Sequence, residues 1–232
     1  MDKNNLLVKA VNKNVRSSPR KIALVLNHIR GKKADIALRD LEFTRKRISK
    51  DVSKTIPSLS ALAGGIGDMQ VRNKGTLGGS IANNDPSACY PSACIALNAT
   101  IHTSNRKIEA SKFFKGMFET ALKKDELITA VEFNIPEKSC YIKIPNPASR
   151  YAMVGVYIAK YKKEVICAVT GAQPVVYRCK EIEKELNNNF SADALNNVSL
   201  KSADMNSDIH ASAEYRASLV LTAAQKAVLN CK

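Results

Sequence analysis

The 232-residue sequence has no tryptophan, only three histidines, and no stretch of about 18 apolar residues. The last absence excludes a membrane-spanning helix of ordinary length, and the first nine residues lack the long apolar core of a signal peptide. A soluble, cytoplasmic chain is therefore expected. The cysteines, at 89, 94, 140, 167, 179 and 231, form no Cys-x-x-Cys pair and no Cys/His cluster at metal spacing. That excludes zinc and iron–sulfur sites of the usual kind and leaves free, buried thiols in a reducing compartment. His28, His102 and His210 stand apart from any nucleophile–base signature, so packing or capping is the reading for each, and neither a catalytic residue nor a metal ligand is nominated. Neither a Walker loop nor a Gly-x-Gly-x-x-Gly motif occurs.

What is abundant is positive charge, and it is placed unevenly. Residues 1–56 hold 15 Lys and Arg against 5 Asp and Glu, a net of +10 out of +15 for the chain. Such asymmetry suggests a nucleic-acid-binding segment joined to something else, the alternative being a solvated lysine-rich surface. Ser17-Ser18-Pro19 supplies an N-cap and a proline at the first helical turn. Ile22, Val25, Leu26 and Ile29 then recur at helical spacing up to Gly31. A second short helix is expected over 33–41, and a third capped by Thr44 with Ile48, Val52 and Ile56 as its apolar stripe.

Three motifs of this segment carry a resemblance. The run VNKNVRSSPRKIALVLNHIRGKKADIALRDLEFTRKRISK, with its S-P-R-K helix start, I-R-G-K turn and F-T-x-K-R helix start in that order, resembles the N-terminal part of ribosomal protein twenty-two of the large subunit. The resemblance implies contact with ribosomal RNA through Arg16, Arg20, Lys21, Lys32, Lys33, Lys46 and Arg47, consistent with cationic side chains neutralising phosphates. The later strands and long hairpin of that family have no counterpart after residue 56.

From Ile56 the text changes. Leu59, Leu62, Ala63 and Ile66 continue a helical stripe that Gly64 and Gly65 weaken or end, and Pro57 at the seam is expected to kink or break the joined helix. Val71–Thr76 carries the chain into Thr76-Leu77-Gly78-Gly79-Ser80. Two adjacent glycines let the backbone approach a ligand closely, and exposed N–H groups beside the hydroxyls of Thr76 and Ser80 suit a phosphate or pyrophosphate. The plainer reading of this stretch is a tight bend between elements.

Its context carries a second resemblance. GD-Q-VRN-GT-GGS-AN-DP is followed by a hydrophobic segment, FETAL, DELITAVEF, NPASRYAMVGVYIAK, AVTGA and DIHASAEYRASLV. In that order they resemble the medium, FAD-binding subunit of the carbon monoxide and xanthine dehydrogenase family over residues 57–230. The resemblance implies that Thr76, Leu77, Gly78, Gly79 and Ser80 wrap the flavin pyrophosphate. It also implies that the redox chemistry belongs to FAD, and that the partners are a molybdenum-containing large subunit and a small subunit with two-iron clusters. Cys89 stands where many members carry an aspartate near the flavin's ribityl or ribose hydroxyls, which leaves Asn84 and Asp85 as the nearby polar alternatives. The family's first glycine loop has no counterpart, because the ribosomal-type segment occupies its place.

The expected fold class is α+β. A basic helical segment (1–56) is fused to a partial FAD-binding domain (57–135) and a small C-terminal domain of sheet and helix (136–232). Alternating segments are expected over 107–118 and 125–135, strands over 151–162 and 165–170, a short helix over 193–197 and a long one over 211–229. By resemblance, 141–178 forms the small sheet, with Arg150 and Tyr151 as hinge and core residues. Function is expected to be that of an electron-transfer subunit. A ribosomal RNA-binding protein, or a fused gene product with neither function, is the alternative.

Overall fold

A computed structural model describes the backbone of Asn5–Leu7 and residues 55–231. The helices expected between 17 and 54, His28 and the basic residues Arg16, Arg20, Lys21, Lys32, Lys33, Lys46 and Arg47 lie outside the described residues. Strand β1 (Asn5–Leu7) precedes helix α1 (Pro57–Gly64). Pro57 does not kink a continuing helix: it occupies the first turn of α1, where its missing N–H costs nothing. The stretch before the glycines is itself helical as α2 (Met69–Lys74), because the Asp68 carboxylate accepts the Val71 N–H at 2.9 Å and caps it. Helices α3 (Leu77–Asn83) and α4 (Tyr90–Ala96) follow.

The chain then forms β2 (Thr100–Thr103), β3 (Lys107–Glu109), the single turn α5 (Ala110–Phe113), a small hairpin of β4 (Phe114–Gly116) and β5 (Glu119–Thr120), and β6 (Ile128–Asn134). One antiparallel sheet has the order β1-β6-β2-β3, with Leu6 opposite Phe133 at its edge. Strands β7 (Lys138–Pro145), β8 (Ala152–Lys160), β9 (Val165–Thr170) and β10 (Tyr177–Arg178) form a second antiparallel sheet in the order β10-β9-β8-β7. Helix α6 (Lys180–Asn188), a 3-10 turn (Asp193–Leu195) and the long α7 (Ala213–Asn230, capped by Ser212) complete the chain.

The second sheet is buried on both faces, which is why β8 and β9 read as near-continuous apolar runs. Tyr157, Ala159, Ile166 and Ala168 pack with α1, α3, α4 and the first sheet. Val154, Val156, Ile158, Cys167 and Val169 pack with α6 and the alanine-rich face of α7. The boundary expected at 135/136 falls in the link between β6 and β7, and packing crosses it. All six cysteines are free, four of them buried.

Candidate functional site

Thr76 to Ser80 is the start of a helix. Thr76 is the N-cap of α3, and its Oγ1 accepts the Gly79 N–H at 3.0 Å while its carbonyl takes the Ser80 N–H at 3.0 Å. The amides of Leu77 and Gly78, first in the helix, have no intrahelical acceptor and are free for an anion. The two glycines differ in role. A Cβ on Gly79 would sit 2.8 Å from Thr76 Oγ1, inside the cap, whereas one on Gly78 would meet Ile128 only at 3.7 Å. Neither glycine has a positive φ.

The first turn of α3, Gly78 apart, opens on a cleft of about 350 Å3, lined by Thr76, Leu77, Gly79 and Ser80 on one side and by Arg72, Asp85, Ser87, Cys89, Lys143 and Tyr151 around the rest. Arg72 braces the α1–α2 turn through the Ile66 carbonyl at 2.8 Å. Lys143, from β7, donates its Nζ to the Gly65 carbonyl and, at 3.0 Å, to that of Arg150. With Lys74, three cations therefore face the single carboxylate of Asp85, whose Oδ1 accepts the Ser87 N–H at 2.8 Å. This donor set, rich in N–H groups and positive charge beside a backbone stripped of side chains, fits a pyrophosphate.

Of the residues expected here, two do not reach the cleft. Gly78 faces Ile128, and Asn84, buried and left-handed at φ 46°, gives both amide hydrogens to the Gly116 and Glu119 carbonyls of the β4–β5 hairpin at 2.7 and 2.9 Å. Asn84 ties α3 to that hairpin and has no amide hydrogen left for a ligand. Cys89 lines the cleft but is buried. Burial pushes its thiol up, against the opposing pull of Tyr141 and Lys143, and keeps it neutral. The Tyr141 hydroxyl, close behind it, is buried with no hydrogen-bond partner among the described residues. Tyr151, expected as a core residue, is 41% exposed, while Arg150 beside it is left-handed at φ 59°.

A smaller hollow of about 280 Å3 shares Asp85, Ser87 and Tyr151 with the cleft and continues to Asn146, Asp208 and Arg216. A roomier hollow of about 740 Å3 lies elsewhere, between 98–100 and 176–178, and holds none of the expected residues. Among the described residues no cluster of His, Cys, Asp or Glu could hold a metal ion, and no helix is long and apolar enough to cross a membrane.

Lys143, Tyr151 and Arg72 were not singled out as cleft residues from sequence. Arg72 lies four residues before Thr76 and could have been found there. Lys143 arrives from β7 and Tyr151 from the residue just before β8, and no local spacing links them to the glycines.

Comparison with known proteins bears on the same residues. Residues 22–137 match the family described as the FAD binding domain in molybdopterin dehydrogenase. The glyceraldehyde dehydrogenase medium chain of Sulfolobus acidocaldarius is 33% identical over 219 residues, covering 87% of this chain and 78% of that one. A chain of the reconstituted CO dehydrogenase from Oligotropha carboxidovorans superposes with a TM-score of 0.71 at 23% identity, over 84% of this chain and 71% of that one. The large ribosomal subunit protein uL22 of Beijerinckia indica is 58% identical over 55 residues, which is 24% of this chain and 43% of that protein. The match to the FAD-binding family begins at residue 22, inside the segment that resembles the ribosomal protein.

Proposed function

Because the chain belongs to the family of FAD-binding medium subunits of molybdenum hydroxylases, we propose that it holds FAD with the pyrophosphate at the N-terminus of α3. The carrying observation is the first turn of α3, where the Leu77 amide has no intrahelical acceptor and the capped Thr76, Gly79 and Ser80 line one cleft with Arg72, Lys74 and Lys143. FAD, when bound, supplies the electron exchange of an oxidoreductase subunit. The chain's own residues bind and orient it: the α3 amides and the Ser80 hydroxyl take phosphate oxygens, the three cations balance the charge, and Asp85 and Ser87 offer polar contacts further along. None need act as an acid or base. The partners are a molybdenum-containing large subunit and a small subunit with two-iron clusters, which pass electrons to the flavin.

Cys89 replaces an acceptor for sugar hydroxyls with a buried, neutral thiol, and the first glycine loop of the family has no counterpart in the sequence. Each missing contact weakens binding by about 1–3 kcal/mol, or roughly tenfold to hundredfold. The chain by itself therefore binds FAD more weakly than about 1 µM. A flavin-fluorescence titration of the full chain checks this. The wild type should saturate in the micromolar range or above, Gly79→Val should abolish binding by displacing the cap, and Gly78→Val should be the milder change. No saturable binding, or binding indifferent to Gly79→Val, contradicts the reading.

The likeness to uL22 supports a second role, salt-sensitive and weakly selective RNA binding through Arg16, Arg20, Lys21, Lys32, Lys33, Lys46 and Arg47. Cosedimentation with large ribosomal subunits that weakens steeply as salt rises is the expected result. Absence of cosedimentation at low salt removes that role.

A further inference from the structure

Arg216 of α7 is 4% exposed, and a buried arginine is a costly way to fill space. Its guanidinium donates to the carbonyls of Met153 at 2.7 Å and Gly171 at 3.1 Å and to the Asp208 carboxylate at 2.6 Å, while its Nε, also buried, has no partner among the described residues. A well-packed apolar side chain would serve stability at least as well. What the arginine adds is the identity of its acceptors.

Gly171, left-handed at φ 82°, passes so close to β8 that a Cβ would lie 2.5 Å from the Met153 carbonyl oxygen, and its N–H donates to the Pro86 carbonyl at 2.8 Å. Pro86 lies between Asp85 and Ser87, and Met153 lies two residues beyond Tyr151. Asp85, Ser87 and Tyr151 line both the FAD cleft and the smaller hollow beside it. Asp208, in turn, is fixed by the His210 and Ala211 amides at 2.9 and 3.0 Å. One buried cation thus ties together the two separate strips of backbone, 85–87 and 151–153, that form the wall shared by the two hollows.

The geometry points to Arg216, with Asp208, as a positioning pair for the flavin: from the C-terminal helix it sets the wall of the cleft opposite the α3 amides. This rests on the FAD reading above. The pair lies outside the lining of the cleft itself and acts on it through Gly171, Pro86 and Met153. It also makes the cleft dependent on α7, an element that contributes no lining residue to the glycine-loop side.

The test is amide hydrogen exchange on the flavin-free full chain, paired with FAD titration, for wild type, Arg216→Met, Arg216→Lys and Asp208→Asn. Arg216→Met should speed exchange selectively at 85–88 and 151–153, leave Ile158 and Ile182 protected, and lower FAD affinity by about tenfold or more. The lysine should restore part of both effects. If Arg216→Met does not fold, Asp208→Asn, which keeps the arginine but removes its counter-charge, is read by the same pattern. Acceleration spread evenly over the chain, or none at the wall, overturns the assignment, because a merely structural arginine would behave in one of those ways. Failure of the wild type to take up FAD defeats the functional reading and the flavin role with it, while the exchange pattern still decides whether the pair sets the wall.

Discussion

The two faces of the β7–β10 sheet, both buried, are built from different chemistry. Cross-strand rows on the cleft side run Lys143, Gly155, Thr170 and Tyr141, Tyr157, Ala168, with Ser139 opposite Ala159. On the far side the rows are Ile142, Val156, Val169 and Cys140, Ile158, Cys167. The cleft side therefore carries hydroxyls inside the protein and, at the cleft itself, the half-buried Lys143. Tyr157 Oη and Ser139 Oγ each lie 2.6 Å from Ser58 Oγ, which links β7, β8 and α1. The far side is closed by Ala223, Ala224 and Ala227 of α7 and carries aliphatic groups and thiols. A buried sheet face that spends stability on polar groups faces the site, and its apolar opposite supplies the packing.

Substitutions should divide along that line. The largest expected effect is on the far side: Ile158→Ala, at a fully buried position, should cost about 2–5 kcal/mol in denaturant unfolding and leave the FAD affinity of the folded fraction unchanged. On the cleft side, Gly155→Ala places a Cβ 2.5 Å from Tyr141 Oη and 2.8 Å from Thr170 Oγ1. It should cost about 1–3 kcal/mol and, unlike Ile158→Ala, weaken FAD binding, because Tyr141 is displaced toward Cys89 and the cleft floor. Equal effects of the two on flavin affinity would erase the distinction between the faces.

The smallest effect concerns pH and lies away from both faces. Glu126 is held down to about 2 by the Arg106 guanidinium first, then by the Thr103 hydroxyl and the Lys123 amide, with burial opposing. Because its folded value lies below the unfolded value of about 4.3, its contribution is complete above that pH and is lost as pH falls toward 2. Thermal melts between pH 6 and 2 should show a steeper loss for wild type than for Glu126→Gln. Parallel curves would mean that this carboxylate is not what acid unfolding titrates.

Much of this was legible in the sequence, and the failures have physical causes. Strands β8 and β9 and the C-terminal helix were visible because their apolar patterns are long, whereas the outer strands of that sheet came only with the resemblance; the helix runs from Ala213 to Asn230 against an expected 211–229. The glycine pair reads as a bend, since glycine weakens helices, yet it sits in a first turn where Gly79 must lack a Cβ to leave room for the Thr76 cap. Helix α6 was not anticipated, although Ile182 and Leu186 at i and i+4 in KEIEKELNN carry its signal. Asn84 looked like a ligand because it is polar and near the loop; only the fold shows that its amide is spent on a hairpin more than thirty residues away. Lys143, Tyr151 and Arg216 reach the site through tertiary pairing alone.

The most direct test of the account is to map where FAD binds, by amide hydrogen exchange of the full chain with and without saturating FAD. Protection at 77–80, with Ser87 and 143–151 joining it, is the predicted result. Protection centred instead on 98–100, 109–111 and 176–178, around the roomier hollow, would contradict it.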